Sequence, residues 1–317
     1  MLSSDCKVDS NILDRVSKGT GQANDILSIL KEITFGYHYF NMALQFRNAK
    51  LVNGMFCSIE ALYGLNMSHI EQLERVDKFF MRKVFSCVVT TPVEAYYLET
   101  GALPLRFIIS ARRLLFYWTI LHKPENELVK QALRAQQIMP VKNDWWLKVL
   151  EDLKEYDFEL SELEISTMKK RAFKQLVDSK IREASRKYLF QLKNKHSKSN
   201  GLQTYKLQTY LTTNKLTTDE KKLLFQLRTR TYSCKANFKN QYGENIICLI
   251  YGTEDNQQHL LLCSRTTADV DTDGVVYNDI SGILEKQVKA AKVMMKITKN
   301  RKLIIENSSI LGSQAHL

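Results

Sequence analysis

Apolar residues recur every three or four positions through most of this chain, the spacing that collects them on one side of an α-helix. The sequence has only 12 Gly and 4 Pro, which leaves little material for the many tight turns of a β-rich fold. We therefore predict an all-α or mainly α fold. The pattern predicts helices over residues 12–33, 37–65, 70–84, 92–100, 104–121, 125–140, 144–153, 161–195, 217–239 and 277–305.

Capping residues and prolines mark the starts of several of these helices. Ser68 with Glu71, and Thr217 with Glu220, each have the spacing of a capping box, in which two side chains satisfy exposed N–H groups of the first turn. Pro92 and Pro104 predict two more starts, because proline is tolerated where no N–H is needed.

The longest predicted helix runs from Ser161 to about Lys195. Basic residues fill the positions beside its apolar stripe, so it has the character of a basic amphipathic helix. We expect that stripe to pack into a core. The predicted stripe consists of Ile165, Met168, Ala172, Leu176, Ile181, Ala184, Tyr188 and Leu192.

Positive charge is concentrated in one part of the chain. The formal net charge is +12, and residues 161–240 carry 19 Lys and Arg against 6 Asp and Glu. The remainder of the chain therefore sums to about −1. A local basic surplus is typical of proteins that bind a polyanion, either nucleic acid or an acidic membrane surface. Solvated helix faces without a partner are the alternative.

The candidate nucleic-acid-binding residues lie on two predicted basic helices. A long helix can place a line of positive charge along a phosphate backbone and release condensed counterions, so we expect binding to weaken steeply with salt. Arg112 and Arg113 also suit phosphates, although adjacent arginines on a helix more often hold carboxylates or stay solvated. The candidates on the two basic helices are Lys174, Arg182, Arg186, Lys193, Arg228, Arg230, Lys235 and Lys239.

Soft metal ligands cluster at suitable spacing in one stretch, from Cys248 to Cys263. His259 precedes Cys263 by four residues, as on one face of a helical turn. A structural Zn²⁺ site takes four N or S ligands in a tetrahedron, and this stretch offers three. The alternative is that both cysteines are small buried apolar residues and that His259 satisfies the local backbone.

The cysteine spacing and the apolar pattern bear on the compartment. Six cysteines are scattered without the dense spacing of a disulfide framework, which predicts a reduced, intracellular protein, nuclear or cytoplasmic and not secreted. No signal peptide is visible, and the most apolar stretch, Phe107–Leu121, is interrupted by Arg112 and Arg113. We therefore predict that no segment spans a membrane.

Several short motifs follow one another through the first third of the chain. They are Val76-Asp77 with Arg82-Lys83, Thr91-Pro92, Tyr97-Leu98-Glu99-Thr100-Gly101, Pro104-Leu105-Arg106 and Arg112-Arg113-Leu114, preceded by Asp14-Arg15-Val16-Ser17-Lys18-Gly19, Asn53-Gly54 and Leu62-Tyr63-Gly64. The run resembles the region just downstream of the polymerase palm in reverse transcriptases of non-LTR (LINE-type) retrotransposons. The resemblance extends over nearly the whole chain.

The resemblance implies an order of parts along the chain. A palm exit and thumb-like helical bundle would occupy residues 1–125, and a long basic helical connector residues 126–200. A basic helix with a small zinc-knuckle-like module would occupy residues 201–265, and a C-terminal loop and helix residues 266–317.

In that family the knuckle carries a Cys-Cys-His-Cys ligand set. The resemblance implies that Cys248, His259 and Cys263 are its first, third and fourth ligands, and that Tyr251 stands at the second. Losing a thiolate removes a bond and a negative charge, and Tyr, with a pKa of about 10, is a poor replacement at neutral pH. We therefore expect zinc to bind weakly or not at all, and we expect no other cofactor.

The family's polymerase centre holds two metal ions on palm carboxylates. The aromatic-Ala-Asp-Asp motif that supplies most of them appears nowhere in this sequence, and Asp269, Asp271 and Asp273 lie in a loop rich in Thr, Asp and Gly. We expect fingers and most of the palm to lie before Met1. The prediction is a truncated reverse-transcriptase-like protein without polymerase activity that retains RNA or DNA binding. The alternatives are a non-enzymatic helical protein-interaction scaffold and a non-functional gene fragment.

Overall fold

A computed structural model of the chain describes residues 8–32, 38–62, 64–142, 144–199, 202–232, 234, 237, 247–248, 253–263, 267, 270–272 and 274–314. Helices account for 72% of the chain, and β-structure within these ranges is limited to two isolated bridges. The all-α prediction is confirmed. None of the helices in the described ranges is long and apolar enough to cross a membrane.

The helices follow one another in an order close to the predicted one. They are α1 Val8–Lys31, α2 Tyr39–Phe46, α3 Met67–Phe85, α4 Val93–Thr100, α5 Leu105–Leu121, α6 Leu128–Ile138, α7 Trp145–Glu155, α8 Glu162–Thr167, α9 Lys170–Lys195, α10 Thr209–Thr212, α11 Thr218–Arg228, α12 His259–Leu262 and α13 Leu284–Gln314. Short 3-10 turns cover Ile59–Ala61, Ser197–Ser199 and Tyr277–Ser281.

The chain forms two compact units whose segments alternate along the sequence. The first unit comprises Met1–Lys31, Ala43–Met81 and Gly101–Leu192. The second comprises Glu32–Met42, Arg82–Thr100 and Lys193–Leu317. The division at residues 125, 200 and 265 that the resemblance implies stays a prediction.

In the first unit, α5 is the central element of the core. It packs against α6, α7 and α8, and α9 adds residues at intervals of four to the same core. Burial of these apolar side chains stabilises the unit by about 1.5–3 kcal/mol each. The core residues are Phe107, Leu114, Tyr117, Ile120, Leu121, Leu133, Trp145, Val149, Tyr156, Ile165, Phe173, Val177 and Ile181.

A polar network is buried at the edge of this core. Arg113 donates to Asp152 Oδ2 at 2.8 Å, and Ser110 donates to Asp152 Oδ1 at 2.8 Å. Tyr156 donates in turn to Ser110 at 3.2 Å. Burial raises the pKa of Asp152 to about 6, although the charge of Arg113 and the Ser110 hydrogen bond oppose the shift.

In the second unit, aromatic rings from three segments form the core. Phe85 lies 4.1 Å from Phe225 and 4.9 Å from Phe40, measured between ring centroids. Tyr96 stacks on Phe225 at 5.5 Å with the ring planes 10° apart. The C-terminal helix α13 packs against α10, α11 and α12 of the same unit.

The predicted helix starts hold in three of four cases. Helix α4 starts at Val93 after Pro92, and α5 starts at Leu105 after Pro104. At α11 both halves of the capping box form, between Thr217 and Glu220.

The box predicted at Ser68 is wrong. The backbone N–H of His69 donates to Asn66 Oδ1 at 3.0 Å, and the N–H of Asn66 donates to His69 Nδ1 at 3.3 Å. Helix α3 therefore starts at Met67, and Ser68 lies inside its first turn.

The single helix predicted over residues 161–195 is also wrong. Met168 has extended backbone angles, which separates α8 from α9. Ile165 and Ile181 of the predicted stripe are buried, but elsewhere the stripe is displaced by one position, since Ala172 is exposed whereas Phe173 is fully buried. The larger aromatic side chain gains more from burial than alanine does. Among the described residues the longest helix is α13, with 31 residues against 26 in α9.

Candidate functional site

Three potential metal ligands meet in the interior of the second unit. Cys248, His259 and Cys263 are all buried, and their candidate ligand atoms lie within 4.8 Å of one another. Zinc bonds of about 2.3 Å to sulfur and 2.0 Å to nitrogen place neighbouring ligand atoms of a tetrahedron roughly 3.5–4 Å apart. The three side chains therefore fit a Zn²⁺ ion with small adjustments.

Local backbone structure explains how the sequence brings these ligands together. An antiparallel bridge between Ile247 and Glu254 turns the chain back on itself, with the N–H of Cys248 donating to Thr253 O at 2.7 Å. Helix α12 then separates the other two ligands by one turn, and the N–H of Cys263 donates to His259 O at 2.9 Å. The predicted helical spacing of these two ligands is thus confirmed.

The imidazole of His259 is oriented by neighbours that the sequence did not single out. Its Nδ1 lies 3.0 Å from Thr253 Oγ1, and Asn256 Oδ1 accepts from its backbone N–H at 2.8 Å. Because Nδ1 contacts this hydroxyl, Nε2 is the ring nitrogen suited to a metal. Burial lowers the pKa of His259, Asp255 opposes the shift and Arg301 adds to it. The fold therefore favours the neutral imidazole that metal binding requires.

A buried ion pair ties the ligand loop to the C-terminal helix. Arg301 on α13 donates to Asp255 at 2.7 Å, and the two side chains are 12% and 1% exposed. Asp255 lies between the bridge and α12, so the pair holds the loop against α13. Tyr251, which the resemblance places at the second ligand position, lies outside the described residues.

The first unit presents a row of cations along α9. Five residues spaced by four positions form this row, and all five are exposed: Lys170, Lys174, Asp178, Arg182 and Arg186. Four residues add about 6 Å along the helix axis, so the row from Lys174 to Arg186 is about 18 Å long. Within the part of the chain that the structure describes, the four cations form no ion pair. Lys187, one position beyond the row, pairs with Glu183 at 3.0 Å.

The other predicted nucleic-acid-binding residues lie elsewhere. Lys193 is half-buried, and its position continues the spacing of the buried residues Ile181 and Leu189 instead of the cationic row. Arg230 does not lie on a helix, because α11 ends at Arg228 and Arg230 has a left-handed φ of 50°. Lys235 and Lys239 lie outside the described residues.

Arg228 is buried against a carboxylate of the second unit. Its Nε and Nη2 donate to Glu99 at 3.1 and 2.8 Å, and its Nη1 donates to Ile280 O at 3.0 Å. Tyr210 donates to the same carboxylate at 2.6 Å. The side chains of Arg228 and Glu99 are 7% and 1% exposed. Arg228 is therefore a structural residue of this unit, buried against Glu99, and its guanidinium is not part of an exposed face.

Comparison with known proteins gives no match to a family model, a curated protein or a solved structure. The resemblance carried by the short motifs therefore stays a prediction.

Proposed function

We propose that this chain binds the phosphate backbone of RNA or DNA through the cationic row of α9. The observation that carries the proposal is the arrangement of Lys170, Lys174, Arg182 and Arg186, which are exposed in one row along α9 that also contains Asp178, and which form no ion pair with the described residues. Charges that the fold leaves uncompensated attract a polyanion, whereas paired charges contribute little.

The proposal predicts how the affinity for nucleic acid depends on salt concentration. Four phosphate contacts give a slope of about −3 to −3.6 in log affinity against log salt, so affinity should fall roughly 50- to 150-fold between 50 and 200 mM salt. Backbone contacts carry no base information, so sequence preference should be weak.

Fluorescence anisotropy with labelled 30-nucleotide RNA, single-stranded DNA and duplex DNA tests the proposal. Arg186→Gln should weaken binding and lower the magnitude of the salt slope by about 1. Lys187→Gln is the matched control, because it removes one neighbouring charge that is already paired with Glu183. Equal effects of the two variants, or binding that salt does not change, would refute the proposal.

We also propose that Cys248, His259 and Cys263 bind Zn²⁺ more weakly than a four-ligand structural site does. The buried triad supports binding, and the Tyr at position 251 in place of a fourth thiolate supports low affinity. A bound ion would link the loop to α12. Competition with a chromophoric chelator measures the affinity, and Cys263→Ala should abolish the competition. Submicromolar one-to-one binding would contradict the low affinity.

The chain is further proposed to be a non-LTR retrotransposon reverse-transcriptase-like protein without polymerase activity of its own. Support comes from the short motifs and from the lack of an aromatic-Ala-Asp-Asp motif in this sequence. Primer extension on an RNA template with Mg²⁺ should give no product. Templated nucleotide addition by the purified chain would refute the assignment.

A protein-interaction scaffold is the second candidate function. The end of α6 and the loop after it expose Ile138, Met139 and Val141 at 79%, 76% and 61%. A run of exposed apolar residues suits a protein partner. If Arg186→Gln leaves nucleic-acid binding unchanged, this candidate becomes the better supported one.

A further inference from the structure

The adjacent arginines of α5 have different environments. Arg113 is buried and donates to Asp152 at 2.8 Å. Arg112 is half-buried and has neutral partners: Nη1 donates to Phe56 O at 2.9 Å, and Nη2 donates to Asn53 Oδ1. Its guanidinium also lies over the Phe56 ring, 5.6 Å from the centroid. The fold therefore holds Arg112 in place without cancelling its charge.

A π-helical turn positions the amides beside Arg112. Residues Arg47–Val52 form this turn between α2 and Asn53, and such turns occur frequently at functional sites. Arg47 is locked by two 2.6 Å bonds to Asp77. Its Nη1 donates to Asn48 Oδ1 at 3.1 Å. Because the Oδ1 atom of Asn48 faces Arg47, the NH₂ group of Asn48 points away from Arg47 and can donate to another group.

These residues line a cavity of about 270 Å³ in the first unit. Arg182 of the α9 row also lines it, and the other described residues of the lining, apart from Arg112, are neutral. The volume exceeds the share of about 30 Å³ that a liquid water molecule takes up, so it can admit a small polyatomic group. The cavity thus combines two guanidinium groups with amide donors, and none of the described residues that line it carries a carboxylate.

We propose that this cavity binds one phosphate group of a nucleic-acid strand, with Arg112 and Arg182 donating to its oxygens. A guanidinium fork matches the spacing of phosphate oxygens and donates two parallel hydrogen bonds. Arg182 is shared with the exposed row, so a strand lying along α9 would place one phosphate in the cavity. The inference rests on the proposed nucleic-acid binding for the source of the phosphate, and on the cavity alone for its chemistry.

Fluorescence anisotropy of single-stranded RNA binding tests the inference, and circular dichroism verifies that each variant folds. Arg112→Gln should weaken binding about tenfold and reduce the salt slope by about 1, because one charged hydrogen-bonding contact is lost. Arg182→Gln alters an exposed residue and serves as the second variant if Arg112→Gln unfolds. The double variant should lose less than the product of the two single losses, because both residues bind the same phosphate.

Arg186→Gln is the control on the same helix, and its effect should multiply with that of Arg112→Gln. If Arg186→Gln weakens binding while Arg112→Gln and Arg182→Gln stay within twofold of the native protein, the cavity inference is overturned and the proposed function stands.

Binding of small phosphates tests the cavity inference separately from the proposed function. Titrations of inorganic phosphate and of a dinucleoside monophosphate, followed through the arginine Nε resonances, should shift Arg112 and Arg182 together in the millimolar range. Tighter binding of the dinucleotide supports a strand as the source, whereas tighter binding of inorganic phosphate supports a free ion. If neither probe shifts these resonances, the cavity is not a phosphate site, whatever the full chain does with RNA.

Discussion

Replacing Glu99 by glutamine should strongly destabilise the second unit, because it leaves Arg228 buried without a counter-charge. The Glu99 carboxylate accepts three hydrogen bonds, two from Arg228 at 3.1 and 2.8 Å and one from Tyr210 at 2.6 Å. Glutamine keeps one acceptor oxygen but presents an NH₂ group to a guanidinium that can only donate. With side chains 7% and 1% exposed, water cannot replace the lost partner.

The expected loss is about 3–5 kcal/mol, the usual cost of breaking a buried ion pair from one side. For a urea m-value of about 2–3 kcal/mol per M, the unfolding midpoint of this unit should fall by roughly 1–2.5 M. The double variant Glu99→Gln with Arg228→Met removes the unpaired charge and should recover part of the loss. Such recovery would give a coupling energy of about 1–3 kcal/mol.

Urea unfolding followed by circular dichroism measures these changes, and Glu183→Gln is the matched control. Glu183 pairs with Lys187 at 3.0 Å, but the two side chains are 60% and 64% exposed, so its loss should cost less than about 1 kcal/mol. A Glu99→Gln variant as stable as this control would show that the pair does not stabilise the fold. Loss of RNA affinity in a fully stable Arg228→Met variant would return Arg228 to the binding surface.

Three further predictions follow from other parts of the fold. Burial raises the pKa of Asp152 to about 6. The stability that its protonated form contributes is therefore complete below about pH 4 and falls by about 3 kcal/mol as the pH rises through 6. Urea unfolding from pH 4 to 7 measures this fall, which the Asp152→Asn variant should lack. Phe85→Ala should cost about 3–5 kcal/mol, because the ring is fully buried against Phe225; a thermal-melting loss under 1 kcal/mol would contradict this packing. Asn66→Ala should cost about 1 kcal/mol in thermal melting through loss of the α3 cap, whereas Ser68→Ala should be nearly neutral; the reverse order would restore the box predicted at Ser68.

Helix starts were predictable where one local signal acts without competition. Pro104 and the pair Thr217 and Glu220 mark their helices correctly because proline geometry and the capping box operate within a single turn. At α3 two capping signals overlap, and a side chain remote in sequence favours one of them. His69 Nε2 lies 2.7 Å from Asp9, a contact that holds the ring where it can accept from Asn66.

The candidate metal site was predictable in its ligands but not in its support. The four-residue spacing of His259 and Cys263 and their shared burial follow from the sequence pattern. The orientation of the imidazole depends on Thr253, a residue type too common at turns to stand out. The pairing of Asp255 with Arg301 joins residues 46 positions apart, and no local signal predicts it.

The charge of this chain shows why a residue count overstates the binding surface. Arg113 and Arg228 count as positive charges in the sequence, yet a carboxylate pairs with each of them. The partner of Arg113 lies 39 positions away, and the partner of Arg228 lies 129 positions away. Arg182 and Arg186 receive no such partner from the described residues, and the fold leaves them exposed on one row. Since attraction for a polyanion depends on uncompensated charge, the proposed binding depends on the exposed row of α9 and not on the number of basic residues in 161–240. Arg112 lies outside that basic segment, and it belongs to the proposed phosphate site because its own partners are neutral.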